Sequence, residues 1–150
     1  MSLPTQVLPD HHRHCDDLFV AAEESVQRDD WAAAAPAFAR FRDQMQAHFE
    51  AEEALLFPAF EAATGISAGP TEMMRHEHAQ MRALLAQLAA ACDARDGDTY
   101  CGVAETLLML MQQHNMKEEN ILYPMCDQAL GAEAERLDAT MSALLESGSA

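Results

Sequence analysis

HFEAEEALLFP at residues 48–58 returns as HNMKEENILYP at residues 114–124, an internal repeat with a spacing of 66 positions. Each copy sets a glutamate four residues after a histidine, His48 with Glu52 and His114 with Glu118. On an α-helix that spacing stacks imidazole and carboxylate on one face, so each helix offers a nitrogen and an oxygen donor to a common point. Two such helices facing each other form a cage for metal.

The flanks turn both pairs inward. Ala34, Phe41, Met45 and Leu55 share the stripe of His48, and Tyr100, Leu107, Leu110, Met111, Ile121 and Leu122 lie along the line through His114. An apolar stripe at helical spacing is the face that packs into a core. A carboxylate carried into that environment costs several kcal/mol unless protons, cations or a metal ion offset it.

The 150 residues are 49% hydrophobic, sized for a single domain over 1–150 with its core bundle at about 9–126. Acidic residues outnumber basic ones 25 to 9, for a net charge of −16. That field repels phosphate backbones and anionic lipid, so neither nucleic acid nor a membrane is an expected partner. The N-terminus has no basic segment followed by a long apolar run, and no stretch of about 18 apolar residues occurs, which points to a cytoplasmic protein. Cys15, Cys92, Cys101 and Cys126 form no CxxC pair or zinc-ribbon spacing and read as structural thiols. Cys15 stands out because it sits beside a histidine cluster.

Alanine, leucine, methionine, glutamate and glutamine dominate and period-2 alternation is absent, which predicts an all-α chain. A first helix runs from Pro9 and Asp10 to about Arg28. A second starts from an Asp30 cap and continues through the first copy toward Ala63, with Pro58 bending or interrupting it. Gly65 to Pro70 is a loop. A third helix runs from a cap at Thr71 or a neighbour to the turn at Arg95, Asp96 and Gly97, and a fourth begins about Asp98 and carries the second copy. Four helices of about twenty to thirty residues on short connections predict an antiparallel up-down-up-down four-helix bundle. Residues from about 132 to 146 read as a short C-terminal fifth helix on the outside, whose apolar face is the candidate surface for a homodimer. Ser147 to Ala150 reads as a disordered tail.

Two more helices must supply the remaining donors, and register chooses among the histidines. His78 is followed at three, six, seven and ten residues by Met81, Leu84, Leu85 and Leu88, whereas His76 points about 160° away. His12 is followed at the same intervals by Cys15, Leu18, Phe19 and Ala22. His11, which reaches Cys15, Leu18 and Ala22, stays the alternative, and His14 and Asp16 are placed to orient ligands by hydrogen bonds. Glu53 and Glu119, turned about 100° from their neighbours, read as solvated charges. The candidate metal ligands are His12 (or His11), His48, Glu52, His78, His114 and Glu118. Four imidazoles and two carboxylates able to bridge suit a pair of octahedral-preferring first-row ions better than tetrahedral zinc, with iron first among them.

These residues make the chain resemble the hemerythrin-like, or HHE cation-binding, family. The resemblance rests on the DHxRH-type opening at Asp10 to His14, HxxxEExxLFP at His48 to Pro58, the EH element at Glu77 and His78, and HxxxEExxLYP at His114 to Pro124. It covers nearly all of residues 9–126. It implies an antiparallel four-helix bundle around a non-haem di-iron centre, the two irons oxo- or carboxylate-bridged, that binds dioxygen, nitric oxide or peroxide. Invertebrate oxygen carriers place two histidines four apart on the third helix, but here Arg82 stands four after His78. That departure resembles the bacterial-type group with a second HxxxE helix. The bundle is also similar to that of di-iron proteins implicated in repairing nitrosatively damaged iron–sulfur clusters, without the cysteine-bearing N-terminal domain found in many of them.

Three functional classes follow. The first is a carrier, sensor or buffer for a small diatomic ligand or peroxide, serving oxidative or nitrosative stress protection or iron handling. The second is a redox enzyme that turns over peroxide or nitric oxide, or supplies iron for cluster repair. The third is a structural bundle holding zinc or no metal. One ligand set supports binding and turnover alike.

Overall fold

Asp30 and Asp96 open two long helices in the same way. The Asp30 carboxylate accepts the Ala33 N–H at 3.2 Å, and Asp96 accepts the Thr99 N–H at 3.1 Å and its hydroxyl at 2.7 Å. Caps of this kind are worth about 1 kcal/mol each. The structure, a computed structural model, describes residues 6–148. Its helices are α1 (Val7–Gln27), α2 (Trp31–Ala51), α3 (Phe57–Thr64), α4 (Pro70–Asp93), α5 (Gly97–Lys117), α6 (Tyr123–Leu130) and α7 (Ala134–Gly148). The fold is all-α, with no strand among the described residues.

Tight turns join the long helices. Asp29 and Arg95 take left-handed backbone angles, φ 59° and 52°, and Gly65 at φ 73° closes α3. α1 packs on α2, α2 on α4, α4 on α5 and α5 on α1, which closes the antiparallel ring, while α7 lies against α2 and α1. Thr71 is not a cap: its hydroxyl donates to Glu61 at 2.6 Å, and α4 begins at Pro70 after Gly69. The fifth helix of the sequence reading is α7, preceded by a 3₁₀ turn and extending past Glu146. The expected tail is therefore helical at residues 147 and 148, and 149–150 lie outside the described residues. No described helix is long and apolar enough to cross a membrane.

Two apolar clusters fill the bundle. One is built on Phe19, Phe38, Phe41, Leu85, Leu88, Tyr100 and Leu107, the other on Leu8, Leu56, Phe57, Phe60, Leu122, Tyr123 and Met141. Between them each long helix contributes one band of buried polar residues, His11 and His12 on α1, His48 on α2, His78 on α4 and His114 on α5.

Each copy of the repeat leaves that band through a π turn, Glu52–Leu56 and Glu118–Leu122. The Phe57 N–H bonds the Glu52 carbonyl and the Tyr123 N–H bonds the Glu118 carbonyl. A π turn accommodates one extra residue, so the stripe slips by one position. Leu55 and Ile121, expected inside, are half-buried and 57% exposed, and their neighbours Leu56 and Leu122 take the core places. Pro58 and Pro124 then stand in the first turn of α3 and α6. A proline clashes with the carbonyl four residues back, and the widened turn makes room for it without ending the helix.

Phe41 is fully buried and meets Phe19 edge-on at 5.5 Å between ring centroids. Phe41→Ala is expected to cost about 3–5 kcal/mol, measured by denaturant unfolding, with the metal content of the folded chain unchanged.

Candidate metal centre

His12, His48, Glu52, His78, His114 and Glu118 converge at the centre of the ring, all with at most 5% of their surface exposed. Glu118 Oε1 lies 3.1 Å from His12 Nε2, 3.3 Å from His114 Nε2 and 4.0 Å from His48 Nε2. Glu52 Oε1 lies 2.9 Å from His78 Nε2 and 3.6 Å from His48 Nε2. The donor atoms fall into two groups, each within 4.8 Å: Glu52, His78, His114 and Glu118 at one pole, and His12, His48 and Glu118 at the other. Glu118 belongs to both. His11, the alternative on α1, belongs to neither and lies behind His48.

Every imidazole is held from behind by a residue on the preceding helix of the ring. Glu53, in the π turn that follows α2, accepts from His78 Nδ1 at 2.6 Å. Glu77 on α4 accepts from His114 Nδ1 at 2.7 Å, and Glu119, after α5, accepts from His12 Nδ1 at 2.7 Å. On the fourth side His11 on α1 meets His48, Nδ1 to Nδ1, at 2.9 Å. His11 Nε2–H is given to Gln44 Oε1 at 2.7 Å, so its Nδ1 is the acceptor and His48 Nδ1–H the donor. All four Nε2 lone pairs then point at the cage. Arg82 braces Glu53 at 2.8 and 3.0 Å, and Lys117 braces Glu77 at 2.5 Å.

Glu53 and Glu119 are therefore not the solvated charges their helical phase suggested. Each reaches sideways to the next helix, where a histidine waits. The signal was present in the repeat, since both copies read EE, and in the EH pair at Glu77 and His78. His14 is exposed, and Asp16 lies on the rim of a surface cleft with His12, so the orienting role falls to His11 and the three glutamates instead. Tyr123 was also missed. It occupies the repeat position of Phe57, and its hydroxyl stands 2.7 Å from Glu52 Oε2, 2.9 Å from Glu118 Oε1 and 3.3 Å from His12 Nε2.

The arrangement fits a cation. His48 Nε2, His78 Nε2, His114 Nε2, Glu52 Oε1 and Glu118 Oε2 are buried without a hydrogen bond. A buried polar atom left so costs about 1–3 kcal/mol, more when charged. Five lone-pair donors converging in one dry space, with a single O–H from Tyr123 shared among three acceptors, are what a bound metal would satisfy.

Without metal, protons take that place. Burial lowers the pKa of His48, but Glu52 and Glu118 override it and raise it to about 10. His114 is carried to about 9 by Glu118 against the same burial, and His78 is raised by Glu52 and Glu53. Glu118 is pushed up by burial yet held well below the carboxylate range by His114 and its neighbours. His11 moves the other way: burial and His48 lower it to about 4, which keeps it neutral.

The sequence pattern of the Hemerythrin HHE cation binding domain matches residues 3–126. This chain belongs to that family. It is 31% identical over 139 residues to the iron-sulfur cluster repair protein YtfE of Musicola paradisiaca (strain Ech703), covering 83% of this chain and 61% of that protein. The chain thus spans about three-fifths of that relative's length. No solved structure matches it significantly. The family is a cation-binding one, which agrees with the donor set found here.

Two outcomes are expected. Histidines raised above their unfolded value stabilise the metal-free fold fully below about pH 6.5 and lose that contribution as pH climbs through 9 to 10. The melting temperature of chelator-treated protein should therefore fall between pH 6.5 and 10, while metal-loaded protein falls less. Removing the charge behind an imidazole, by Glu53→Gln or Glu77→Gln, should weaken metal affinity about 10–100-fold, read by competition with a chelator, with the saturating ion count unchanged.

Proposed function

We propose that this hemerythrin-family chain is a di-iron protein that binds a small ligand, dioxygen, nitric oxide or peroxide, in oxidative or nitrosative stress protection or iron handling. The observation that supports this most is the pair of donor groups sharing Glu118, which offers two neighbouring positions instead of one. His78 and His114 would hold one ion and His12 and His48 the other, with Glu52 and Glu118 the carboxylates able to bridge. Imidazole with carboxylate, and no thiolate, suits iron in preference to a tetrahedral zinc site. When bound, two irons supply reversible redox change and open coordination for a small molecule.

The protein's own residues set the conditions. Phe49 and Phe57 lie over His78 with centroids 4.3 and 5.7 Å away and keep that side dry. Glu53, Glu77, Glu119 and His11 fix the imidazole tautomers, so the cage is ordered before an ion arrives. Tyr123 places a neutral hydrogen-bond donor inside the cage, positioned to share its proton with either carboxylate.

A second reading follows from the relative, whose name assigns it to iron–sulfur cluster repair. There the cage would hold iron for delivery. The two readings separate in a direct assay: iron-loaded protein either restores activity to a damaged iron–sulfur enzyme in stoichiometric amounts, or binds or consumes nitric oxide or peroxide without losing iron.

Metal analysis of untagged protein grown with iron is expected to give two irons per chain. Because Glu118 serves both groups, Glu118→Ala should lower that count and abolish the rise in melting temperature on adding iron. An unchanged count would defeat the ligand assignment, and zinc alone in the wild type would defeat the di-iron reading.

A further inference from the structure

We propose that the two metal positions are unequal by construction: an ion held by His12, His48 and Glu118 exchanges with solution, while an ion held by Glu52, His78, His114 and Glu118 stays, and His11 sets the difference. This rests on the di-iron reading and goes beyond it by naming the position that gives up iron.

Four observations point the same way. The first is the lean of the Glu52 carboxylate: Glu52 Oε1 stands 2.9 Å from His78 Nε2 but 3.6 Å from His48 Nε2, and the neutral Tyr123 hydroxyl stands near His12.

The second is what stands behind each imidazole. His78 and His114 donate to carboxylates, which raise the basicity of a metal-binding histidine. His48 donates to His11, a neutral ring whose own N–H is engaged by Gln44. His11 fixes the tautomer of His48 but lends it no charge. The carboxylate behind His12, Glu119, is 36% exposed, against 26% for Glu53 and 18% for Glu77, so solvent screens it most.

The third is shielding. The rings of Phe49 and Phe57 both stack on His78, and the guanidinium groups of Arg82 and Arg75 cover those two rings at 5.1 and 5.3 Å, whereas the rings stacked on His12 and His48 are the polar Tyr123 and His11. The fourth is access. A cleft of about 260 Å³ between α1, α2 and α7 is walled by His11, His14, Gln44 and Leu145. Another, of about 370 Å³ between α1 and α5, is walled by His12, Asp16, Asn115 and Glu119. The second cleft reaches a cage residue, His12, while the first stops at His11, behind His48. Weaker backing and a cleft that reaches His12 on one side, carboxylate backing and arginine-covered phenylalanines on the other, make one ion the exchangeable one.

The test challenges ferrous-loaded full chain with an excess of a coloured ferrous chelator under argon and follows iron release in time. One iron per chain should leave at least about tenfold faster than the other, the scale that such outer hydrogen bonds carry. His11→Glu places a carboxylate behind His48, with the Gln44 amide able to turn its NH₂ toward it. That variant should slow the fast phase about tenfold or more and leave the slow phase alone. Glu53→Gln should speed the slow phase only. Release of both irons in one phase from the wild type overturns the proposal. So does a fast phase unmoved by His11→Glu in protein still loading two irons, or a Glu53→Gln effect on the fast phase, which remains informative if the His11 variant does not fold. Fewer than two irons before the chelator is added would defeat the di-iron reading itself.

Discussion

Lone pairs facing lone pairs in a dry space are the constraint on which this structure depends. Three imidazole nitrogens and two carboxylate oxygens are buried at the bundle centre without hydrogen bonds. Such a cluster opposes folding unless positive charge joins it, so a metal that binds the folded chain and not the unfolded one adds its binding energy to stability. The apolar clusters on either side of the band keep the helices in register while the band itself contributes little until it is neutralised. Fold and cation are in this sense one problem. The proton, drawn to His48 and His114 by Glu52 and Glu118, is the alternative occupant against which a metal ion must compete.

The two π turns show how closely the backbone is fitted to that band. They begin at the two cage glutamates, at the same place in each copy of the repeat. An unbroken α-helix would carry Leu55 and Ile121 inward and meet Pro58 and Pro124 with a steric clash. Widening each turn by one residue keeps the glutamate pointing at the cage, brings Leu56 and Leu122 into the lower core, and lets α3 and α6 continue against each other. Turns of this kind are uncommon and tend to mark functional sites.

The four-residue spacing of His48 with Glu52 and His114 with Glu118 was readable because it runs along α-helix and ends on the first residue of each π turn, before the extra residue shifts the phase. The same periodicity failed for Leu55 and Ile121 because nothing in a helical count announces an extra residue, although the prolines three positions further on mark the place. Glu53 and Glu119 were misjudged for a different reason. Phase on one's own helix says which way a side chain leaves the axis, and these two leave sideways, where the partner is a histidine some 25 residues on for Glu53 and 107 back for Glu119. Register separated His12 from His11 by little, and only the neighbouring helix assigns them: His12 faces Glu118, while His11 is captured by Gln44 and His48.

The repeat makes the cage nearly two-fold in its donor residues, and its surroundings break that symmetry at two points. Phe57 and Tyr123 occupy equivalent places, yet one is an inert ring over His78 and the other carries a hydroxyl to both carboxylates. Around the ring, three imidazoles are backed by glutamates and the fourth by a neutral histidine. Both departures touch α1: the Tyr123 hydroxyl stands by His12, and the neutral histidine is His11. Since a donor's strength follows from what is hydrogen-bonded behind it, a ligand set that looks even by residue type need not be even in chemistry. The asymmetry of this cage comes from residues that belong to neither donor group, Tyr123 within hydrogen-bonding reach of three of the donor residues and His11 behind a fourth.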